Sequence, residues 1–454
     1  MLLNLPLELV ELVLLNLSYD DIKNIRYCNK ILNQIISRET FWEKIAMRDF
    51  GVDLPSTKNL SSTEESVERN FSSKVFYREI LVKYGNLLPK VWQQVNYEYY
   101  GGLFKLLYHN YMIYLVRLDP PPYPSTHKPL QPQIICRLYV KPDSNKMVLD
   151  YLEDISSNTA NDQLKEDLDN GTYSLNVKIE CANDEPKYSI MLSTDALSQT
   201  IDTYRRWQLI PDNERKEEEL SRRLGIPRDM ARLRFRHYMQ YVLEGIQLFE
   251  PISSIGSNVS KDFPIQPGVF KATYGSHGIE LIQVYYSQES NQLVGWKITG
   301  DPNVPLGETS FIAYLGKPII HHSFDDENDD NYFSNLRSSF DRSMNIENND
   351  LLAKIENQKN PSPQPFDLPK SLKLHGNLPL EDLKTYKWRF ASQIQIAMAM
   401  FQEPRYVDAH IIIFSENIFA VINIDLKSLK ICHRVEERLD GVVNYEDFLV
   451  SQTS

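Results

Sequence analysis

The chain opens on a hydrophobic pattern with helical spacing. Over residues 5–17, LPLELVELVLLNL, Leu5, Leu9, Val13 and Leu17 recur at steps of four and line one side of a helix, while Val10 and Leu14 widen the apolar surface. A helix this apolar needs partners on more than one side. Ser18, followed three residues later by Asp21, predicts a second helix start: the hydroxyl accepts from a free backbone N–H and the carboxylate sits at the positive end of the dipole. Ile22 and Ile25 lie on that helix. Ile31, Leu32, Ile35 and Ile36 follow on a third segment and Phe41, Trp42 and Ile45 on a further one, giving a compact helical unit over 1–50 that ends near Phe50. Residues 52–70 are rich in Ser, Thr and Glu and have no apolar period, which predicts a linker before a short amphipathic helix over 71–84.

From Leu87 the pattern changes to strands. The segments 103–118, LFKLLYHNYMIYLVRL, and 134–140, IICRLYV, are aromatic and β-branched, separated by the turn-rich 119–132, DPPPYPSTHKPLQP. A helical pattern returns over 213–250, with NERKEEELSRR, a break at GIPRD, and MARLRFRHYMQYVLEGIQLF. Strands resume at Pro267. Residues 322–370 are acidic and poor in apolar side chains, as in DDENDDNYF and NQKNPSPQP, and predict a disordered insertion. The last β segment, HIIIFSENIFAVINIDLKSLKICHRV over 410–435, predicts two strands around Ser415-Glu416-Asn417 and a third after Lys427-Ser428. One weak internal echo links Gly102-Leu103-Phe104-Lys105 to Gly268-Val269-Phe270-Lys271, each opening a strand–turn–strand pattern.

Length and composition refine this picture. At 454 residues the chain suggests two or three structural units, and its 26 Tyr and 19 Phe lean toward strands. A formal charge of −12 argues against nucleic acid as a partner, because a phosphate-binding face needs a Lys/Arg surplus. Cys28, Cys136, Cys181 and Cys432 are scattered with no short ligand spacing, so neither a disulfide framework nor a metal site is expected. No apolar run reaches the length of a membrane span, and Glu8 and Glu11 replace the basic start of a signal peptide, so a soluble protein of the cytoplasm or nucleus, off the membrane, is expected.

Candidate chemistry concentrates in two turns. In Gly300-Asp301-Pro302-Asn303 the Asp side chain can bond its own backbone and Pro302 fixes the next φ. Asp301 either stabilises that turn or stands at a rim and accepts a hydrogen bond from a partner. In Tyr274-Gly275-Ser276-His277-Gly278 the glycines allow positive φ and leave backbone amides accessible, with His277 read as a turn residue in preference to a base. Trp296 and Lys297 alternate on a strand, so one faces inward; Lys297 is a peptide contact if inward and a solubilising charge if outward. No nucleotide, metalloprotease or nucleophile motif occurs, and Cys432 and His433 point to opposite faces of a predicted strand. No catalytic residue and no cofactor are expected.

Leu5-Pro6-Leu7-Glu8, Val13-Leu14, Leu17, Asp21-Ile22, Cys28 and Phe41-Trp42, in this order and spacing, resemble the F-box. That resemblance implies a three-helix module that docks a Skp1-type adaptor, and through it a cullin, using Leu5, Pro6, Leu9, Val13, Leu14 and Ile22. Three further blocks, Tyr100-Gly101-Gly102-Leu103, the pair GVFKATYGSHGIEL (268–281) with KITGDPNVPLGE (297–308), and the 412–433 run, resemble the F-box only protein 31 family and its cyclin D1-binding domain. The implied fold is α+β: the F-box, then over 86–454 a closed or nearly closed β-barrel-like substrate-binding domain with helical insertions. The implied function is the substrate-recognition subunit of a ubiquitin ligase, itself non-catalytic, capturing substrate proteins by C-terminal tails that include amide-terminated fragments. The implied contacts are Tyr274, His277, Lys297, Thr299, Gly300, Asp301 and Asn303. A Cys- and His-rich stretch of the animal members is replaced here over 171–195, where Cys181 alone remains, so no structural zinc is expected. The rival readings are a lipocalin-like carrier, since eight or more strands could enclose a ligand, and a plain scaffold.

Overall fold

A computed structural model describes residues 5–54, 72–95, 101–121, 125–141, 146–151, 173–182, 185–194, 246–252, 264–274, 277–287, 292–315, 318–319, 329–344, 362–368, 372 and 383–450. The N-terminal unit has the four helices that the hydrophobic pattern gives, one more than the resemblance implies: α1 (Leu7–Leu14), α2 (Tyr19–Ile25), α3 (Lys30–Ile36) and α4 (Glu39–Phe50). Ser18 caps α2 as its spacing predicts, its Oγ accepting from the Asp21 N–H at 3.2 Å. Gly51 closes α4 with φ +66°, the left-handed conformation that costs glycine least. A helical run then passes from α5 (Ser73–Phe76) through a π turn (Tyr77–Leu81) into α6 (Val82–Tyr84). This run packs tightly against the N-terminal helices: Trp42 lies 5.2 Å from Tyr77 and Phe50 5.7 Å from it, ring centre to ring centre. One core cluster runs without a break from Val10 through Trp42, Phe76 and Tyr77 to Phe104 and Phe249 in the sheet beyond.

Two β bodies follow. In the first, β1 (Val91–Gln94), β2 (Leu103–His109), β3 (Met112–Asp119), β4 (Gln131–Lys141), β5 (Lys146–Tyr151), β6 (Tyr173–Ala182), β7 (Glu185–Thr194) and β8 (Ile246–Pro251) pair in the order β5-β4-β3-β2-β1-β8-β7-β6. This is an antiparallel meander in which β1 joins β8, leaving β5 and β6 as the two edges among the described residues. The β2–β3 hairpin turns on Asn110 and Tyr111, both at positive φ (45° and 61°), as a two-residue turn between right-twisted strands demands. Ile246–Pro251 is strand, whereas the sequence pattern carries helix to residue 250: Phe249 enters the core beside Phe104, and cross-strand packing overrides the helical period. Residues 213–245 of that expected helix lie outside the described residues.

The second body is the closed barrel that the resemblance implies. Its strands are β9 (Gly268–Thr273), β10 (Ile279–Tyr286), β11 (Gln292–Lys297), β12 (Thr309–Tyr314), β15 (Trp388–Met398), β16 (Gln402–Ser415), β17 (Ile418–Asn423) and β18 (Ser428–Arg434). A small pair, β13 (Gln364–Pro365) and β14 (Thr385–Tyr386), stands apart. Pairing of β18 with β9 closes the ring. Side chains fill the interior: Phe419 meets Phe270 at 5.2 Å and Phe311 at 5.5 Å, and a Cβ on Gly295 would sit 2.3 Å from the Phe311 ring. A barrel packed in this way is a core, which removes the physical ground for a lipocalin-like carrier. The outer face bears helix α7 (Asp329–Met344), whose Tyr332, Phe333, Leu336 and Phe340 are buried on Ile412, Ala420, Ile422 and Ile431. His410 locks it there, donating from Nε2 to Leu336 O at 3.0 Å while Nδ1 accepts from Arg389 Nε at 2.9 Å. Part of the segment 322–370 is thus an ordered helix, a correction to the expected disorder. Four apolar residues at helical spacing suffice to dock it even though acidic residues dominate the composition.

The two bodies share a core of Leu103, Leu107, Val116, Leu281, Ile298, Leu439 and Phe448, closed by the C-terminal helix α8 (Tyr445–Val450). Gly101 bridges to Thr299 at φ +70°, and a Cβ there would lie 2.8 Å from Ile298 O. The echo noted in the sequence falls on comparable places. Lys105 on β2 and Lys271 on β9 are both buried and donate to backbone carbonyls, Lys105 to Leu88, Lys90 and Gly441 at 2.8, 3.2 and 2.9 Å and Lys271 to Lys128 at 2.6 Å. Burial pulls the Lys105 ammonium down to about 7, while its three carbonyl acceptors favour the charged form that alone supplies three donors. Lys105→Met is expected to lower unfolding free energy by about 3 kcal/mol, through three carbonyls left without a donor. Gly101→Ala is expected to cost roughly 2 to 3 kcal/mol through clash and positive φ. Chemical denaturation of both variants checks these values, and a change within error for either would refute the packing described for it.

Candidate functional site

The N-terminal helical unit presents one exposed apolar face. On and just before α1, Leu5, Leu9 and Val13 are 42%, 46% and 41% exposed, and Pro6 is exposed beside them. Leu14 and Ile22, expected in the same docking face, are instead fully buried, because α1 turns its Val10–Leu14 side inward onto α2, α3 and α4. They hold the module together and do not form its surface. The spacing of the sequence identified two stripes on α1 but could not say which one faced out. Leu7 and Leu12, also exposed, enlarge the face and went unnoticed for the same reason.

The second site is an ionic cluster sealed in one end of the closed barrel. Strand alternation points Tyr274 inward with Phe270 and Ala272, Glu280 with Ile282 and Val284, and Lys430 with Cys432. Lys297 turns inward as well and is fully buried, so it is not a surface charge. Its Nζ donates to Glu280 Oε1 at 3.0 Å, to Val304 O at 3.3 Å and to Asp301 Oδ2, and it lies 4.3 Å from the centre of the Tyr274 ring. Asp301 is fully buried too. Its Oδ1 accepts from the backbone N–H of Asn303 at 2.7 Å and of Val304 at 2.9 Å, and its own N–H donates to Val304 O at 3.0 Å. The turn-stabilising reading of Asp301 therefore holds, and its expected place at an open rim is corrected: every ligand of its carboxylate comes from this chain. Thr299 Oγ1 accepts from Leu281 N at 2.8 Å and is likewise committed.

Residues that remain partly exposed at this end are Tyr274, His277, Pro302 and Asn303. His277 N donates to Tyr274 O at 3.0 Å, and the two rings lie 5.9 Å apart. Gly300 links buried Thr299 to Asp301; Gly275 and Ser276 lie outside the described residues. Beside this loop is the hairpin tip 398–401, where Met400 N donates to Pro302 O at 2.9 Å and the exposed side chains of Met398 and Met400 reach solvent. Neither these methionines nor Glu280 and Lys430 stood out in the sequence. Glu280 and Lys430 sit in ordinary strand runs, and only an inward parity count on a closed barrel would have marked them.

The electrostatics follow from burial. Desolvation raises the Glu280 carboxyl to about 8 against the pull of Lys297, and its proton is shared toward Asp301. Burial also works against a charged Asp301, but Lys297 and the carboxyl of Glu280 hold it below the usual carboxylate range. Lys297 keeps its charge: burial opposes it, and the neighbouring Glu280, Tyr274 and Asp301 more than compensate. Lys430 differs. Burial lowers it to about 8, and its Nζ, 3.4 Å from the Tyr274 ring centre, has no hydrogen-bond acceptor among the described residues.

Glu280 has a folded-state pKa above its unfolded value, so the folded protein holds an extra proton from roughly pH 4.3 to about 8. The stability it contributes is fully present at the acid end of that window and falls as pH rises through it, by ~1 kcal/mol per unit at most. Lys430, depressed to about 8, acts with the opposite sign above that pH. Glu280→Gln should match the wild type in melting temperature at pH 5 and exceed it at pH 8. Equal melting curves at both values would contradict a protonated Glu280.

Comparison with known proteins fits this geometry. The F-box domain family matches residues 2–44, and the family described as cyclin D1 binding domain matches residues 252–438, which contain the closed barrel. The chain is 22% identical over 478 aligned residues to F-box only protein 31-B of Xenopus laevis, covering 96% of this chain and 84% of that protein. F-box only protein 31 of Xenopus tropicalis is 26% identical over 235 residues, 42% of this chain and 41% of that protein. The human F-box only protein 31 is 50% identical over 44 residues, 10% of this chain and 8% of that protein. The F-box implies partnership with Skp1, and these relatives support a substrate-recognition role in a Skp1-cullin-F-box ubiquitin ligase. The chain thus joins an F-box match to a cyclin D1 binding domain match and is similar along nearly its whole length to an F-box only protein 31.

Proposed function

We propose that the protein is a non-catalytic receptor that holds the C-terminal tails of substrate proteins against the Tyr274–Asn303 end of the closed barrel. There it presents them to a ligase docked through the Leu5–Val13 face. The observation that carries this reading is Lys430: a buried cation with no acceptor beside a cluster whose other charges are paired. Such a group has hydrogen-bond donors to give to a terminal carboxylate or carboxamide oxygen, and a ligand that supplied one would remove a standing desolvation cost. Tyr274, His277 and Asn303 are the rim through which a tail would enter. Met398 and Met400 add flexible apolar surface for the residues preceding the terminus. Asp301 is a positioning residue in this scheme, fixing the 300–308 turn and the Lys297 ammonium. A cyclin is one candidate substrate, on the strength of the matched domain's description. Action in the cytoplasm or nucleus belongs to the same proposal.

The two halves of the reading separate experimentally. Leu5→Ala, Pro6→Ala and Leu9→Ala together remove exposed apolar surface without touching the core and should abolish Skp1 and cullin recovery in an affinity purification while tail peptides still bind. Retention of Skp1 would refute the docking face. On the barrel, fluorescence polarisation with matched carboxyl- and amide-terminated peptides should show at least a tenfold weaker Kd for Lys430→Met, and a smaller loss for Asp301→Asn, which keeps the turn but unbalances Lys297. Peptide affinity unchanged in Lys430→Met would refute tail capture at this end and favour a scaffold whose barrel only spaces its neighbours.

A further inference from the structure

A cleft of about 320 Å³ lies at the junction of the F-box and the helical run that follows it, away from both surfaces discussed above. It is built by simple helical spacing. Tyr19, Ile22, Lys23 and Arg26 fall at i, i+3, i+4 and i+7 along α2, and Lys74 and Arg78 fall at i and i+4 across α5 and the π turn. Ile36 and Trp42 form the apolar floor, and Trp42 is held in place by its Nε1–H donating to Ile36 O at 2.6 Å. Four cations therefore converge on one cleft in a chain of net charge −12. Glu79 is the single acidic group lining it, and it is already engaged by Arg78 at 2.9 Å and Lys83 at 3.7 Å. Lys23 and Lys74 make no ion pair among the described residues. Arg26 Nε is buried without a hydrogen-bond acceptor, although its guanidinium stacks on Tyr27 at 4.4 Å.

Four cations facing one acidic group leave an excess of positive charge that repels itself, and a cleft that keeps them is suited to a ligand that supplies the missing negative charge. We infer that this cleft binds a small molecule carrying two or more phosphate groups, with Arg26 and Arg78 offering planar forks to phosphate oxygens and Lys23 and Lys74 acting as point charges. A single carboxylate would leave most of that charge uncompensated, whereas closely spaced phosphates match it. The volume is at the small end of ligand sites and suits a compact ligand over a polypeptide segment. Because one wall comes from α2 and the other from α5 and its π turn, a bound polyphosphate braces the adaptor-docking module against the rest of the receptor.

The test is calorimetric titration of the full-length chain with inorganic pyrophosphate and inositol hexakisphosphate, repeated with Lys23→Ala/Lys74→Ala and with Lys44→Ala as a control for general charge loss. Lys23 is exposed and Lys74 half-buried, so the double variant should fold, which its melting temperature in the absence of ligand checks. The expected result is binding that weakens with added salt, is at least tenfold weaker in the double variant and is unchanged in Lys44→Ala, with Trp42 fluorescence responding in step. The inference is overturned if neither probe binds, if sulfate at matched ionic strength binds as well, or if the double variant binds like the parent. It is also overturned if a phosphoserine peptide outcompetes both probes, which would make the cleft a phosphoprotein site.

Discussion

Pairing of β18 with β9 closes the second barrel, and much of the molecule depends on that closure. It joins residues 432–434 to residues 270–272, segments about 160 positions apart, and leaves the ring of strands with no free edge. Closure also makes an inside. Once the ring is shut, every second residue of each strand turns inward, and at one end those residues include the buried Glu280 and Lys297 and the half-buried Tyr274 and Lys430. Charges placed there must be neutralised by one another, which is why Glu280 holds a proton, Asp301 gives up its lone pairs to Lys297 and to two backbone amides, and Lys430 is left the odd cation.

The same closure organises the neighbours. The chain leaving β18 runs straight into the shared core through Val435 and Leu439, supplies Gly441 O to Lys105, and ends in a helix whose Tyr445 stacks on Tyr114 of the first sheet at 5.4 Å. The outer wall of the barrel supplies the platform for α7, and Arg389 donates from Nε to His410 beneath it. On the other side the first sheet merges with the core of the F-box through Phe76, Tyr77, Trp92 and Phe104. The exposed face of α1 and the barrel end are therefore connected by packed side chains.

Local signals in the sequence read correctly wherever the physics is local. The Ser18 cap, the positions of α2 to α4 and the strand breaks at 415–417 and 427–428 all follow from spacing and turn chemistry, and the structure keeps them. The resemblance was legible as well, because Leu5-Pro6-Leu7-Glu8 and the 268–308 blocks are too long and too particular to arise from generic patterning. Errors came where packing outvoted composition: Ile246–Pro251 formed a strand because a sheet edge was available to Phe249, and α7 formed in an acidic segment because four apolar residues found a wall.

By itself, then, the amino-acid order determined most of the element types, the F-box pattern and the resemblance of the β region, since periodicity, capping and motif spacing act over a few residues. Tertiary structure alone decided which stripe of α1 faces solvent, that the β region divides into an open sheet and a closed barrel, and that Asp301 and Lys297 are buried partners instead of rim groups. It alone gathered Glu280 and Lys430 to the same cluster and Lys23, Arg26, Lys74 and Arg78 to the same cleft. The physical reason is common to all of these: burial and charge pairing depend on what lies across a gap in space, and strands or helices far apart in the chain supply it.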